Sequence, residues 1–247
     1  MNHRISYQKE AWYDLLSILR TPGFVIPSLA FPLMFYLFFG VVLSSGANSA
    51  YMLVTYGCFG IMGPAMFNFA MNIASDRAHG WLTLKRLSPM PITAYLLAKL
   101  STSMVFSLLI ILLLFSIAAL FGGVRLLSGQ WLLIAVILVL GTLPFALIGL
   151  ILGLTLSDKA APGVVNLLYL PMAFLSGLWL PIHLLPAMLQ QASWLWPSYH
   201  LSQIGLSVIG MGQGHAVWLH LLLLLVTSLV LGMLAIASFN RLSGEKS

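Results

Sequence analysis

Residues 100–124 read LSTSMVFSLLIILLLFSIAALFGGV, an unbroken apolar run without a single Asp, Glu, Lys, Arg or His. A helix needs about 20 predominantly apolar residues to cross the hydrocarbon core of a bilayer. A helix on the surface of a water-soluble domain would carry a polar face, which this run lacks. The run therefore predicts a transmembrane helix.

Comparable uncharged runs lie on both sides of this helix. Between Lys159 and Arg241 the chain contains no Asp, Glu, Lys or Arg, and this stretch is too long for a single span. We divide it into two spans with a proline-rich segment between them. The predicted spans are residues 23–43, 51–75, 100–124, 131–157, 160–180 and 216–240.

The composition of the whole chain supports a membrane protein. Of its 247 residues 60% are hydrophobic and 6% are charged, whereas a soluble domain carries roughly 25% charged residues. The net charge of +6 does not predict nucleic-acid binding, because the longest basic run is the pair Lys85–Arg86. The single cysteine, Cys58, lies in an apolar run and is interpreted as a small buried hydrophobic residue.

The basic residues predict the orientation. If the N-terminus is cytoplasmic, all of the 11 Lys and Arg residues except Arg125 fall in cytoplasmic segments or at their edges, as the positive-inside rule requires. An odd number of spans would place Arg241 and Lys246 outside. The sequence thus predicts an all-α multi-pass protein of the cell (inner or plasma) membrane with six transmembrane helices and both termini in the cytoplasm. Residues 23–240 form the predicted transmembrane domain, and residues 241–247 form a cytoplasmic tail.

Residues 1–22 are predicted to form a cytoplasmic leader. Within it, residues 5–20 have an amphipathic pattern, which predicts a helix in the membrane interface and in contact with lipid. The predicted apolar face consists of Trp12, Leu15, Leu16 and Leu19, and the polar residues elsewhere are Lys9, Glu10, Asp14 and Ser17.

The outer segment, residues 181–215, is long, uncharged and interrupted by Pro181, Pro186 and Pro197. Because backbone in hydrocarbon must satisfy its own hydrogen bonds, we expect one or two short helices that enter the membrane from outside and return. The aromatic side chains of Trp179, Trp194, Trp196 and Tyr199 are typical of the belt at a membrane interface.

Several functional classes lack their motifs. The chain has no Gly-Lys pair and therefore no phosphate-binding loop of the Walker A type. Its predicted spans contain no Asp, Glu, Lys or Arg, and His220 is their only histidine, which weakens the case for an ion-coupled carrier. His183, His200 and His215 match no zinc-ligand spacing, and Ser176 lacks a nucleophile motif. We predict no catalytic residue, no metal site and no cofactor. An ion-coupled or passive transporter stays open as an alternative, as does, more distantly, an intramembrane hydrolase that uses Ser176 or His200.

The inner segment between the second and third predicted spans begins at Asp76. Gly80 is expected to end one helix, and Pro89 and Pro91 to end a short one that follows. Trp81, Leu84, Leu87 and Ser88 recur at helical spacing. The pattern indicates a short, basic, amphipathic helix at the cytoplasmic surface. Such a helix can insert into a groove on a partner, although an ordinary basic loop has a similar composition.

Two stretches of this sequence resemble the ABC-2 type permeases, the membrane subunits of many ABC exporters. Residues 76–91, DRAHGWLTLKRLSPMP, followed by Lys99, are similar to the first cytoplasmic loop of that family. Residues 176–186, SGLWLPIHLLP, together with Trp196-Pro-Ser-Tyr199, are similar to its outer loop between spans five and six. The span number, the orientation and the amphipathic leader agree with the same family.

The resemblance implies a function in which this chain is not itself an enzyme. It implies a homodimer or pseudo-dimer of permeases bound to two separately encoded ATP-binding subunits, which would hold ATP and Mg²⁺. It also implies export of an amphipathic substrate such as a drug or a lipid. The resemblance assigns the coupling helix, which docks the ATPase, to Asp76, Arg77, His79, Gly80, Trp81, Thr83, Leu84, Lys85, Arg86 and Leu87. It assigns the exit side of the pathway to the outer segment with Pro181, Pro186, Trp196, Pro197 and Tyr199.

Overall fold

The computed structural model describes residues 3–87 and 92–244, and it describes side chains over residues 7–84 and 94–241. All regular structure in these residues is helical. The α-helices are α1 (His3–Leu19), α2 (Pro22–Phe35), α3 (Ala47–Ala78), α4 (Trp81–Leu87), α5 (Ile92–Leu120), α6 (Ser128–Leu140), α7 (Leu143–Thr155), α8 (Ala161–Leu175), α9 (Ala187–Ala192), α10 (Pro197–Val208) and α11 (Val217–Gly244). A π-helix over Tyr36–Val42 extends α2, and short 3-10 helices precede and follow α9 at Ile182–Leu184 and Ser193–Leu195.

Five helical stretches in the described residues are long and apolar enough to cross a bilayer. They are Pro22–Val42, Ala47–Ala78, Ala94–Leu120, Ser128–Thr155 and Val217–Arg241. The fourth combines α6 and α7, which meet at Gly141 and Thr142. These five stretches coincide with five of the six predicted spans, and the chain is a multi-pass helical membrane protein.

The predicted fifth span, residues 160–180, does not form one continuous helix. α8 has 15 residues and ends at Leu175, which is shorter than the usual span of about 20 residues. Gly177 then turns the chain with φ of 72°, a left-handed conformation that glycine adopts without steric cost. A Cβ atom at this position would lie 2.9 Å from the Cβ of Ile182. Because residues 160–180 are almost entirely uncharged and apolar, their composition did not indicate that the helix ends before Gly177.

The centre of the bundle is α3, which is buried along most of its length. α7 packs along it through Gly149 and Gly153, one helical turn apart. A Cβ atom at Gly149 would lie 2.4 Å from the carbonyl oxygen of Met66, and one at Gly153 would lie 2.9 Å from that of Ala70. The two backbones therefore touch, as in helix pairs that use small residues at four-residue spacing in membranes.

α11 lies at the edge of the bundle, in contrast to α3. Its inner face packs against α7 and α10, while Leu225, Leu229 and Met233 are exposed. These exposed side chains are apolar and cannot hydrogen-bond water, so this face is suited to contact with lipid.

The leader helix α1 forms over His3–Leu19, but one residue of its predicted polar face points into the protein. Trp12 and Leu19 of the predicted apolar face are exposed, which is compatible with the predicted contact with lipid. Asp14, expected on the polar face, is turned toward α5 and bonds Lys99. This inward position has an electrostatic reason, because Lys99 is almost completely buried and a buried ammonium group needs an opposite charge.

Candidate functional site

A groove of about 510 Å³ runs along α2, α3 and α8. Glycines and prolines of α2 and α3 keep these helices from filling the space between them. The lining residues are Thr21, Gly23, Phe24, Pro27, Ser28, Phe31, Pro32, Gly60, Gly63, Pro64, Phe67, Met71, Pro162, Asn166, Tyr169 and Leu170. None of them carries a formal charge, so the groove suits an uncharged, largely apolar ligand.

Tyr169 forms one wall of this groove. Its ring stacks on that of Phe59 with 5.1 Å between the centroids, and its hydroxyl donates to the carbonyl oxygen of Phe59 at 3.3 Å. A Cβ atom at Gly63 would lie 3.1 Å from the Cζ and Oη atoms of Tyr169. The absent side chain of Gly63 therefore leaves room for the aromatic ring to lie against α3.

The groove adjoins a smaller and more polar cavity of about 90 Å³. The two share Thr21, Phe24, Phe67 and Met71, and the smaller one adds Ser17, Asn68 and Asn72 among others. Asn68 donates through Nδ2 to Ser103 Oγ at 3.1 Å, and Asn72 donates to Asn68 Oδ1. Together the groove and the cavity form an elongated site with an apolar body and an uncharged polar end. This distribution of polarity would suit an amphipathic molecule.

The short helix α4 follows α3 at its end opposite to Gly46. Gly80 has φ of 74°, and its N–H donates to the carbonyl oxygen of Arg77 at 3.1 Å, so α3 ends and α4 begins where the sequence predicted. Leu82 is buried, whereas Trp81 and Leu84 are 58% and 65% exposed. Thr83 is also exposed. The side chains of Lys85, Arg86 and Leu87, and residues 88–91 with Ser88, Pro89 and Pro91, lie outside the described part of the chain.

The residues just before α4 attach it to the bundle. Tyr95 donates through its hydroxyl to Asp76 Oδ2 at 2.5 Å. Arg77 donates through Nη1 to the carbonyl oxygens of Gly153 at 3.0 Å and Leu156 at 3.2 Å, which stabilises the last turn of α7. His79 Nδ1 lies 2.9 Å from the carbonyl oxygen of Ser75, to which it donates. The predicted coupling residues thus fall into an anchoring set before Gly80 and an exposed pair after it.

Lys99 links this region to α1. Its Nζ atom lies 2.7 Å from Asp14 Oδ1 and 5.1 Å from the centroid of the Tyr95 ring. Because Tyr95 also bonds Asp76, a continuous polar chain runs from α1 through α5 to the end of α3. The sequence singled out Lys99 for its place in the family pattern, but nothing in the pattern identified Asp14 as its partner.

In the outer segment the prolines start helices. Pro181 precedes the first 3-10 helix, Pro186 precedes α9, and Pro197 is the first residue of α10, where the missing N–H costs nothing. Trp196 is half-buried and Tyr199 is fully buried. The assignment of Tyr199 to an interface belt is therefore wrong: its ring packs against Trp194, His200 and His220.

The structure gathers three histidines around Trp194. His200 and His220 share a hydrogen bond of 2.9 Å between their Nδ1 atoms, and the rings of His200, His215 and His220 all contact the indole. Burial lowers the pKa of His200 below its ordinary value. His183 is exposed elsewhere in the segment. In residues 3–87 and 92–244 no three His, Cys, Asp or Glu residues are placed to hold a metal ion.

The hydrolase alternative requires a base beside Ser176. The Ser176 hydroxyl instead bonds the hydroxyl of Ser198 at 2.5 Å, and His200 bonds His220 and the carbonyl of Trp194. In the described residues no hydrogen bond joins Ser176 to a histidine, so the geometry offers this serine no activating group.

Comparison with known proteins agrees with the geometry. Residues 7–209 match the model of the ABC-2 type transporter family. The chain belongs to the ABC-2 type transporter family. A protein of Bacillus subtilis (strain 168) named "Putative transport permease YvfS" is similar to it, with 28% identity over 233 residues that cover 92% of this chain and 94% of the relative. The family membership agrees with the resemblance found in the loop motifs.

Three parts of the site were not visible in the sequence. Each of them joins residues that are far apart in the chain. They are the Asp14–Lys99 pair, the Asn68–Ser103 bond at the polar cavity and the His200–His220 pair. A polar residue within an apolar span was the available signal for Asn68 and Asn72, because such residues are usually functional or bonded to a neighbouring helix.

Proposed function

We propose that this chain is the permease subunit of an ATP-driven ABC-2 exporter that moves an amphipathic substrate outward across the membrane. It works as a homodimer with two separately encoded ATP-binding subunits. Those subunits hold ATP and Mg²⁺ and perform the hydrolysis, while this chain binds the substrate and changes conformation.

The exposed pair on α4 is the observation that carries the proposal. Trp81 and Leu84 are on the same side of a helix of seven residues, and both are more than half exposed. Tryptophan is enriched among the residues that contribute most to binding at protein interfaces, and Leu84 extends the exposed apolar surface beside Trp81. The positive-inside pattern supports a cytoplasmic location for this helix, where an ATP-binding subunit would meet it.

The contacts of α4 support a role in transmitting force. Buried Leu82 and the turn at Gly80 hold the helix against α3. Arg77 bonds the end of α7, and Asp76 bonds Tyr95 of α5. A push on α4 would therefore act on three helices of the bundle together and not on a flexible loop.

The groove supports the path of the substrate. It lies between α2, α3 and α8, and residues at its edge such as Phe31 and Leu170 are exposed. In a monomer this apolar groove would be filled by lipid. A second permease against the same face would convert the two grooves into one enclosed pathway, and the uncharged lining favours a neutral amphipathic molecule.

We propose the six-span topology with both termini inside for the same protein. α8 has 15 residues and is about 22 Å long at 1.5 Å per residue, which supports a short span that ends at the turn of Gly177. α10 supports a re-entrant outer segment, because its first ten residues, 197–206, are buried and it packs against α3, α6 and α11.

The test is isolation of the permease from its native membrane with and without the exposed pair. The unmodified chain should co-purify with a P-loop ATPase in near-equal amount, identified by mass spectrometry and by ATP hydrolysis. The double variant Trp81→Ala, Leu84→Ala should lose most of this ATPase while its helical content and detergent stability stay unchanged. Leu127→Ala, at an exposed leucine far from α4, is the matched control and should retain the partner.

Two results would refute the proposal. One is a chain that is purified without an ATPase yet transports in response to an imposed ion gradient. The other is an ATPase that binds the double variant and the control equally, because α4 would then not be its docking site.

A further inference from the structure

Two buried histidines join α10 and α11 near the N-terminal ends of both helices. His200 on α10 and His220 on α11 are each only 2% exposed, and their Nδ1 atoms are 2.9 Å apart. The loop between the two helices is closed over them, since the N–H of Gln213 donates to Gln203 Oε1 and Tyr199 donates to Gln213 Oε1. The histidine pair is thus a polar link inside an otherwise apolar junction.

The proton positions in this pair follow from its partners. His200 Nε2 lies 2.9 Å from the carbonyl oxygen of Trp194, and a carbonyl can only accept, so Nε2 carries a proton. In neutral His200 the Nδ1 atom is then bare and accepts the bond from His220. His220 must therefore carry its proton on Nδ1, and its Nε2 is bare.

Each added proton has a different consequence. A first proton can bind His220 Nε2, and the bond between the two Nδ1 atoms survives because His220 still donates to a neutral His200. A second proton can bind only His200 Nδ1. Two N–H donors would then face each other at 2.9 Å in two cationic rings, and the contact becomes repulsive.

In the described residues no carboxylate lies beside the pair to offset such charges. Residues 160–240 contain no Asp or Glu, and no Lys or Arg. The titratable groups around the pair are Tyr199 on α10 and His215 in the loop, with Tyr51 of α3 within electrostatic reach of Tyr199. α6 and the 3-10 helix with Trp194 contribute no titratable group. Burial also lowers the pKa of His200, so the separated helices bind protons more tightly than the joined ones.

We propose that the His200–His220 pair is a two-proton latch, which holds α10 against α11 at neutral pH and releases it when both rings are protonated from the outer side. Protonation from the outer side rests on the proposed topology, whereas the contact between the two histidines does not. Because α10 is buried between α3, α6 and α11, its release would open the exit side of the pathway in an acidic exterior.

The test is hydrogen exchange of the isolated full chain, followed in peptides from residues 197–208 between pH 7.5 and 4.5. The rates are corrected for the intrinsic pH dependence of exchange. The latch predicts loss of protection below the ordinary histidine pKa of about 6.5, with a slope of up to about 100-fold per pH unit where two protons are taken up. Peptides from α3 should keep their protection and serve as the internal reference.

Variants separate the latch from general acid sensitivity. His220→Gln keeps an N–H that can donate to His200 Nδ1 but cannot take up a proton, so residues 197–208 should stay protected at low pH. His183→Gln removes an exposed histidine of the same segment and should behave like the unmodified chain. The latch is wrong if the His220→Gln chain loses protection over the same pH range as the unmodified chain.

A second measurement works even if that variant does not fold. The fluorescence of Trp194 is obtained as the difference between the unmodified chain and the Trp194→Phe variant. A protonated imidazole quenches an adjacent indole, so this fluorescence should decrease as the histidine pair takes up protons. Trp194 fluorescence that reaches its low-pH plateau, with both rings protonated, without any loss of protection in residues 197–208 would overturn the latch. Both readouts use the permease alone, so failure to find a partner ATPase would leave their result unaffected.

Discussion

Lys99 of α5 and Asp14 of α1 form an ion pair of 2.7 Å in which both side chains are almost completely buried. Asp14 Oδ2 has no hydrogen-bond partner in the described residues, so Lys99 carries most of the compensation for this carboxylate. The pair attaches the leader helix to the bundle, close to the residues that anchor α4.

We predict that Lys99→Met destabilises the protein by about 3 kcal/mol, because it leaves a buried carboxylate without its counter-charge. Thermal unfolding in detergent measures the loss. Lys159→Met, at an exposed lysine, is the matched control and should have little effect. The double variant Asp14→Leu, Lys99→Met should recover much of the stability; equal loss in the single and double variants would show that packing and not charge is responsible.

The contact between α3 and α7 predicts a strict requirement for glycine. Gly149→Ala places a Cβ atom 2.4 Å from the carbonyl oxygen of Met66, and the helices must separate. We expect a cost of about 1–3 kcal/mol, seen as a lower melting temperature. Gly232→Ala on α11, where a Cβ atom has no neighbour within 4 Å, should be neutral or slightly stabilising. A tolerated Gly149→Ala would mean that the helices are farther apart in the membrane.

The topology is tested by labelling single cysteines in a Cys58→Ala background with a membrane-impermeant thiol reagent on right-side-out vesicles. Arg125→Cys should be labelled, whereas Lys159→Cys and Arg241→Cys should be labelled only after the vesicles are opened. If α8 does not cross the membrane, residues 159 and 241 lie on opposite sides, and Arg241→Cys is labelled in intact vesicles.

The aromatic wall of the groove predicts a specific loss of substrate response. In the complex with its ATPase, a neutral aromatic amine such as N-phenyl-1-naphthylamine should stimulate ATP hydrolysis. Tyr169→Ala should reduce this stimulation several-fold, because the ring that lines the groove and stacks on Phe59 is removed. Leu229→Ala, on the exposed face of α11, should leave it unchanged. Equal stimulation in both variants would place the substrate elsewhere.

The amino-acid sequence was sufficient to predict that the protein lies in a bilayer and to predict much of its helix pattern. Uncharged runs of spanning length predict helices in a bilayer wherever they occur, because a polar group in hydrocarbon costs several kcal/mol. The start of α4 could also be predicted, since Gly80 acts on the backbone within a few residues. The loop motifs were sufficient to indicate the family, which the family comparison then showed.

Features that depend on how helices pack, or on the contact of two residues distant in the chain, became visible only in the tertiary structure. An apolar run does not show where a helix is interrupted inside it, so the end of α8 at Leu175 and the turn at Gly177 had to be observed. Helical periodicity placed Asp14 on a polar face, but its carboxylate points into the protein and pairs with the buried charge of Lys99. His200 and His220 lie 20 residues apart on separate helices. Such pairs depend on how the helices pack, because the residues near one partner in the sequence do not identify the other partner.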